Sequence, residues 1–378
     1  MLINKKLKIA LPGLLLLGLC FFLYSPILNH QFLLDDFYFL RFHDVFQIFK
    51  NPQLIFARNH HFEPLFNITN GILFPLLKQP ALLYFVNIIL FFINCYLLFL
   101  LIFIISRNYT VAFLTSILFC IHPMSAEIVL HITLNNILFS VVFMELGLIA
   151  LFKHVKQKKH YYFYFLSLTC VCAALLFQEI AWFFPLYAAA LLFYKTNDIK
   201  KTFFLCLPFF VLTGICVATW LLLAGSRTHI WERMAGFNLN PFELIANLFL
   251  LLIWYFYNLI IPYGIVFVYN TAPARDFIWF WNLLFLTVIT VFYWILSRRF
   301  NCALERLGFI FFMGGLLFIL PGSICRPEMG LVIQPYWFYF ASAGLYLSAI
   351  AFIIKLGPFC NKYLFTALIC SGFIFFIT

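Results

Sequence analysis

The chain is short of charge. Of its 378 residues, 10% are charged and 65% hydrophobic, where soluble domains carry about 25% charged residues. That scarcity excludes an ordinary soluble domain. The sequence also lacks a P-loop, a dinucleotide-binding loop and a tetratricopeptide array, so a nucleotide-driven enzyme and a helical solenoid are not indicated. Eleven cysteines are present, but none form a CxxC, and most sit singly inside apolar runs (Cys20, Cys95, Cys120, Cys170, Cys172, Cys206, Cys216). They read as small apolar packing residues. Cys325 is the exception, because it falls in a predicted outside loop.

What the chain has in abundance is long apolar runs, recurring along its whole length. A span needs about 20 such residues. The hydropathy predicts spans near 9–28, 82–106, 110–122, 131–152, 161–177, 180–194, 202–224, 278–297, 307–321, 336–355 and 363–378. Residues 246–269 are apolar and contain Pro262. A single span there would put the next basic loop on the wrong side, so a re-entrant hairpin is expected. The expected architecture is an all-α polytopic membrane protein of about eleven spans plus that hairpin. It forms one domain over 1–378, with larger non-cytoplasmic loops at 29–80 and 225–277.

The net charge of +11 does not point to nucleic acid. The lysines cluster between apolar runs, at Lys5, Lys6 and Lys8, at Lys153–Lys159, and at Lys195–Lys201. That is the positive-inside pattern of an inserted chain, and it predicts a cytoplasmic N-terminus. The first run lacks a small-residue cleavage site, which favours a retained span over a signal peptide. This topology puts ten of the 13 acidic residues on the non-cytoplasmic side. Carboxylates contribute little to orientation, so their asymmetry needs another cause.

FLLDDFYFL (32–40) places Asp35 and Asp36 side by side after the first span. Neighbouring residues in a helix or strand point in different directions. One carboxylate in a pocket and one holding structure is the natural division; the plainer reading is that both mark the end of a span. HHFEPLFNITN (60–70) brings His61 and Glu63, but its spacing matches no standard zinc pattern; the plainer reading is an interfacial loop. Its NIT is formally a glycosylation acceptor. HPMSAE (122–127) offers His122 and Glu127 around a proline turn, either as a hydrogen-bonded pair shaping a pocket or as a simple polar turn. QEIAWFFP (178–185) sets Glu179 at another outside turn. HIWER and SICRPEM, with the nearby Arg227, add Arg233 and Arg326. The planar fork of arginine suits phosphate.

Together these stretches resemble the GT-C glycosyltransferases, and within them the transmembrane O-mannosyltransferases that often carry tetratricopeptide repeats, with their bacterial relatives. LLDDFYFL stands where that family has an acidic pair after its first span. FEPLFNITNGIL resembles its RPL-x-x-L-T stretch. PALLYFVNIILFFINCYLL resembles P-x-x-x-H-x-x-N-x-x-L-H, keeping Pro80 and Asn87. HPMSAEIVLHIT resembles HP-x-x-x-E-x-V-x-x-I-S, QEIAWFFPLYAAALL the K-E-x-x-x-x-x-P turn, and PYWFYFASAGLYL the late R-Y-x-Y-L-P-x-x-G run. The chain departs from the pattern in its basic positions. Asn135 and Asn136 stand near the family's arginine, Gln178 replaces the lysine of K-E, and Tyr336 or nothing replaces the late arginine. The repeat domain is also missing.

The resemblance implies a polyprenyl-phosphate-linked sugar as donor and a protein or glycan hydroxyl as acceptor. It implies no cofactor, no divalent metal and no nucleic acid partner. Asp35, or else Asp36, would be the base of an inverting displacement. Arg326, Arg233 and Arg227 would hold the donor phosphate, and His61, Glu63, His122, Glu127 and Glu179 would shape the pocket. The compact loops lean to a bacterial inner membrane with a periplasmic site; the endoplasmic reticulum, with a lumenal site, is the alternative. A lipid-linked glycan transporter or flippase, and an inactive scaffold of the same fold, are the rival expectations.

Overall fold

The computed structural model describes residues 2–33, 36, 62–157, 160–223, 251, 253–255, 257–259, 269–271, 284, 287, 291, 303–323 and 331–356. The described chain is helical apart from a short antiparallel pair, β1 (Tyr269–Thr271) with β2 (Leu331–Ile333), in the register Tyr269 to Ile333. Two compact units divide it: residues 1–121 with 126–225, and 122–125 with 226–378.

In the first unit, α1 (Leu2–Tyr24) runs on through a 3-10 turn to Asn29. The helices that follow are α2 (Pro64–Leu77), α3 (Pro80–Ser106), α4 (Tyr109–Ile121), α5 (Pro123–Leu130, whose first three residues fall to the second unit), α6 (Asn135–Lys156), α7 (Tyr161–Phe177), α8 (Phe184–Thr196) and α9 (Ile199–Leu223). Pro64, Pro80 and Pro123 open their helices, where the missing N–H costs nothing. Arg107 and Asn197 close α3 and α8 in left-handed conformation, with φ of 56° and 49°.

Five described stretches are long and apolar enough to cross a membrane: Ile9–Asn29, Pro80–Ser106, Ile132–Lys156, Ile199–Leu222 and Pro335–Lys355. A sixth results if α4 and α5, bent by 60° at the His122–Pro123 junction, form one span. These helices mark a membrane-embedded α-helical protein. The expected spans 278–297 and 363–378, and the hairpin at 246–269, fall outside the described residues apart from isolated positions.

One helix appears where a loop was expected. The stretch 29–80 reads as polar because of Asn67, Thr69 and Asn70, yet Pro64–Leu77 is the helix α2. Its polarity is inverted. Asn67, Asn70, Gly71 and Phe74 are buried on one face, while Ile68, Ile72 and Leu76 are exposed on the other, Leu76 by 72%. A helix with amides inside and aliphatics outside suits an apolar surround rather than water. The buried side chain of Asn67 also rules out the NIT triplet as a glycan acceptor in this fold.

Polar side chains fix the register of the long helices. Asn87 on α3 donates to the carbonyls of His131 (2.8 Å) and Val129 (3.3 Å), and Asn94 donates to that of Leu138 (3.2 Å). Seven residues along α3 match seven from His131 to Leu138, so α3 and α6 run parallel. Helix α7 runs antiparallel to α6. Ser140 donates to the Ala174 carbonyl (3.1 Å) and Ser167 to that of Gly147 (2.8 Å).

The second unit contains α10 (Ala303–Ser323) and α11 (Tyr339–Leu356), the latter entered through a 3-10 turn at Pro335–Phe338. Their crossing depends on glycine. A Cβ on Gly308 would lie 2.6 Å from the Gly344 carbonyl oxygen, and one on Gly344 would lie 2.5 Å from the Gly308 oxygen. Beside them Tyr255 donates to the Gln334 carbonyl at 2.8 Å and packs against Phe338, which meets Phe312 edge-on.

Candidate functional site

The site begins where α1 ends. Past Asn29 the chain leaves the helix through an extended His30, and Asp36 turns its carboxylate into the first unit, with no exposed surface. A buried carboxylate is costly unless its oxygens are hydrogen-bonded. Here Oδ2 accepts the Leu33 N–H at 3.2 Å and Oδ1 accepts the Thr133 N–H at 3.1 Å. The backbone of Ile132 and the Thr133 hydroxyl add to this cradle. Burial still pushes the Asp36 carboxyl above the usual carboxylate range, against the downward pull of those donors. The Tyr84 hydroxyl, beside Asp36, donates to the Gln31 carbonyl at 3.0 Å.

The 3-10 turn Ile132–Leu134 makes this cradle possible. It interrupts the helical path between α5 and α6 and frees the Thr133 N–H from any ladder. Asn87 fixes the same turn from α3 through the His131 carbonyl.

A second layer lies at the start of α6. Asn136 donates through Nδ2 to Glu63 Oε1 at 3.0 Å, and Asn135 donates to Asn70 Oδ1 at 2.9 Å. All four side chains are buried. In the Asn70–Asn135 pair one bond is made and two atoms remain over. Asn70 Nδ2, a donor, and Asn135 Oδ1, an acceptor, have no partner among the described residues. Such buried orphans call for a reason. A hydroxyl, which both donates and accepts, is the complementary group.

Four of the six stretches that carry the family resemblance thus meet in one unit. Asp36 touches Thr133 of HPMSAEIVLHIT, Asn87 holds Val129 and His131 of the same stretch, and Glu63 and Asn70 bind the asparagines that follow it. Glu127 is buried on α5 within this unit. Glu179 opens the 3-10 turn Glu179–Phe183 between α7 and α8, and its N–H is capped by the Gln178 side chain.

His122 belongs to the other unit. It is buried, its Nδ1 accepts the Met124 N–H at 3.2 Å, and its ring lies 5.3 Å from that of Tyr346. Asp35, His61, Arg227, Arg233 and Arg326 lie outside the described residues. Sequence reasoning passed over Asn70, and named Asn135 and Asn136 only as a departure from the resembled pattern, not as site residues. The signal for Asn135 and Asn136 was present as two adjacent amides after HPMSAEIVLHIT.

Comparison with protein-family models, with curated proteins and with solved structures finds no match to this chain.

Proposed function

We propose that the chain is an inverting glycosyltransferase with a GT-C-like bundle of about eleven spans and a re-entrant hairpin. It moves a sugar from a polyprenyl-phosphate-type donor to a hydroxyl acceptor at the non-cytoplasmic face of a bacterial inner membrane. The observation that carries this reading is the buried carboxylate and amide cluster around Asp36, with its unpaired donor on Asn70 and unpaired acceptor on Asn135.

The two adjacent aspartates divide the work. Asp36 has both oxygens engaged by backbone N–H groups, so it anchors the segment after α1 to the turn before α6. Asp35 is then the base. It takes the proton of the acceptor hydroxyl as that oxygen attacks the anomeric carbon, and the bond to the lipid phosphate breaks on the opposite face. The departing phosphate carries its own negative charge, so cations can replace a general acid; Arg326, Arg233 and Arg227 take that role. Asn70 and Asn135 hold a sugar hydroxyl. The exchange of the family's arginine for two amides shifts recognition there from phosphate to hydroxyl.

The purified chain is tested with polyprenyl-linked sugars and hydroxyl acceptors, alongside Asp35→Asn and Asp36→Asn. Transfer is expected in the wild type and lost in Asp35→Asn. Transfer that survives both substitutions refutes the base assignment. Cysteine labelling at positions 35 and 158 from the same side would overturn the topology.

A lipid-linked glycan transporter is the second reading, and Glu145 favours it. This carboxyl is fully buried within the span of α6, and neither oxygen has a partner among the described residues. Ionisable groups at such depth often mark transport paths. Movement of lipid-linked sugar without transfer, abolished by Glu145→Gln, would select it.

A further inference from the structure

Three cysteines that are far apart in sequence come together in the apolar interior of the first unit. Cys20 is on α1, Cys95 on α3 and Cys120 on the last turn of α4. All three are completely buried, and their Sγ atoms lie within 4.8 Å of one another, with Cys20 and Cys120 at 3.5 Å. Cys20 is near the middle of Ile9–Asn29, and Cys95 near the middle of Pro80–Ser106. The walls are fixed. Tyr24 donates to the Cys120 carbonyl at 3.1 Å, and its ring meets Phe91 edge-on at 5.2 Å. Phe91 stacks on Phe119, next to Cys120.

We infer that Cys20, Cys95 and Cys120 form a binding site for one soft, thiol-seeking metal ion, and that copper(I) is the ion it fits.

The geometry suits three-coordination. An ion about 2.3 Å from each of three sulfurs in a plane sets those sulfurs about 4.0 Å apart, inside the spread that the thiols already have. Structural zinc closes with four ligands, and the cluster among the described residues offers three. Thiolate sulfur selects copper(I) over hard ions.

Cysteine holds a metal as its thiolate, so each sulfur that coordinates gives up its proton on binding. Three thiolates around Cu⁺ leave a charge of −2, which is expensive in an apolar membrane interior and limits the affinity. Affinity therefore rises with pH while the thiols are protonated.

The full chain, purified without oxygen in lipid nanodiscs, is titrated with acetonitrile-stabilised copper(I) against a chromogenic copper(I) chelator. One ion per chain is expected, with protons released on binding. Cys20→Ala, Cys95→Ala and Cys120→Ala should each weaken binding by ~100-fold or more, because loss of even a supporting partner costs 10–100-fold. Cys172→Ala should not. Monodisperse elution of each variant separates lost binding from lost folding. X-ray absorption at the copper edge, on the unaltered protein, should read three sulfur neighbours. Equal binding by the three variants, nitrogen or oxygen neighbours, failure of the unaltered protein to retain copper, or a Cys20–Cys120 disulfide in the protein isolated from membranes would each overturn the assignment.

Discussion

The two units hold their helices together by opposite means. In the first, polar side chains cross between helices: Asn87, Asn94, Ser140 and Ser167 all donate to backbone carbonyls of a neighbour. In the second, α10 and α11 meet at Gly308 and Gly344, where backbone lies directly on backbone. Both answer one problem. Inside a bilayer the surround is as apolar as leucine, so burying leucine against leucine gains little. A chain must then use hydrogen bonds or close approach. The difference lies in tolerance. A hydrogen bond between helices contributes little singly and fails gradually, while a glycine contact is either possible or not.

The comparison breaks most sharply at Gly344. A Cβ there would sit 2.5 Å from the Gly308 oxygen and 2.6 Å from the Phe312 nitrogen, both backbone atoms that cannot rotate away. Gly344→Val should cost at least about 3 kcal/mol of helix association, read as a fall in the detergent-titrated unfolding midpoint. Gly18→Ala is the control. Nothing lies within 4 Å of a Cβ at Gly18, so that change should be neutral or slightly stabilising. Equal effects at the two glycines would remove the contrast.

Next in size is Asp36, which joins the segment after α1 to the start of α6. Asp36→Leu leaves the N–H groups of Leu33 and Thr133 without acceptors, at about 1–3 kcal/mol each. Asp36→Asn keeps an acceptor and should cost less. The two also differ in pH dependence. Burial raises the Asp36 carboxyl above its ordinary value, so the folded state binds the proton more tightly than the unfolded one. The contribution of this group is therefore complete below the ordinary carboxylate range and is lost as pH rises through the raised value. Wild-type stability minus that of Asp36→Asn should fall across that window. A flat difference would show that Asp36 titrates as in an open chain.

How much of this was legible depends on what carried the signal. Five spans were readable because apolar length is local: 9–28 became Ile9–Asn29, 82–106 became Pro80–Ser106, and 131–152 became Ile132–Lys156, with 202–224 and 336–355 likewise, whereas 161–177 is a shorter apolar helix. Prolines and basic residues punctuate them. Helix α2 was not readable as a helix, because its buried face is the polar one and amide-rich stretches resemble loops. The Asp36 contact with Thr133 bridges 97 positions and the thiol pair of Cys20 and Cys120 bridges 100. No local pattern encodes either. The expected division between the two aspartates had a local basis, since neighbours point apart. That Asp36 is buried and held was set by the distant turn at Ile132–Leu134.

A smaller effect is expected at α3, where the seven-residue step from Asn87 to Asn94 fixes its register on α6. Asn87 makes two bonds and Asn94 makes one. Hydrogen bonds between membrane helices average about 0.6 kcal/mol and reach about 2 kcal/mol. Asn87→Leu should therefore cost roughly twice as much as Asn94→Leu. Asn87→Leu should also loosen the cradle of Asp36, because the His131 carbonyl it holds lies two residues from Thr133. Hydrogen exchange at the Thr133 amide should then rise in Asn87→Leu and stay unchanged in Asn94→Leu.

The smallest effects belong to Ser140 and Ser167, on the antiparallel pair α6 and α7. Each hydroxyl donates once, to Ala174 and to Gly147. Substitution by alanine removes a donor but leaves only a carbonyl, already bonded along its own helix, without the extra contact. Each change should cost about 0.6 kcal/mol. The two bonds lie seven residues apart along α6 and share no partner, so the double variant should lose about the sum. Gly147 places a limit on repair of this interface. A Cβ there would lie 3.2 Å from the Phe184 ring and 3.5 Å from Val171. These are side-chain and not backbone atoms, and they lie farther off than the 2.5 Å at Gly344, so Gly147→Ala should cost far less than Gly344→Val. If it costs as much, close approach and not hydrogen bonding governs the first unit too, and the contrast between the units disappears.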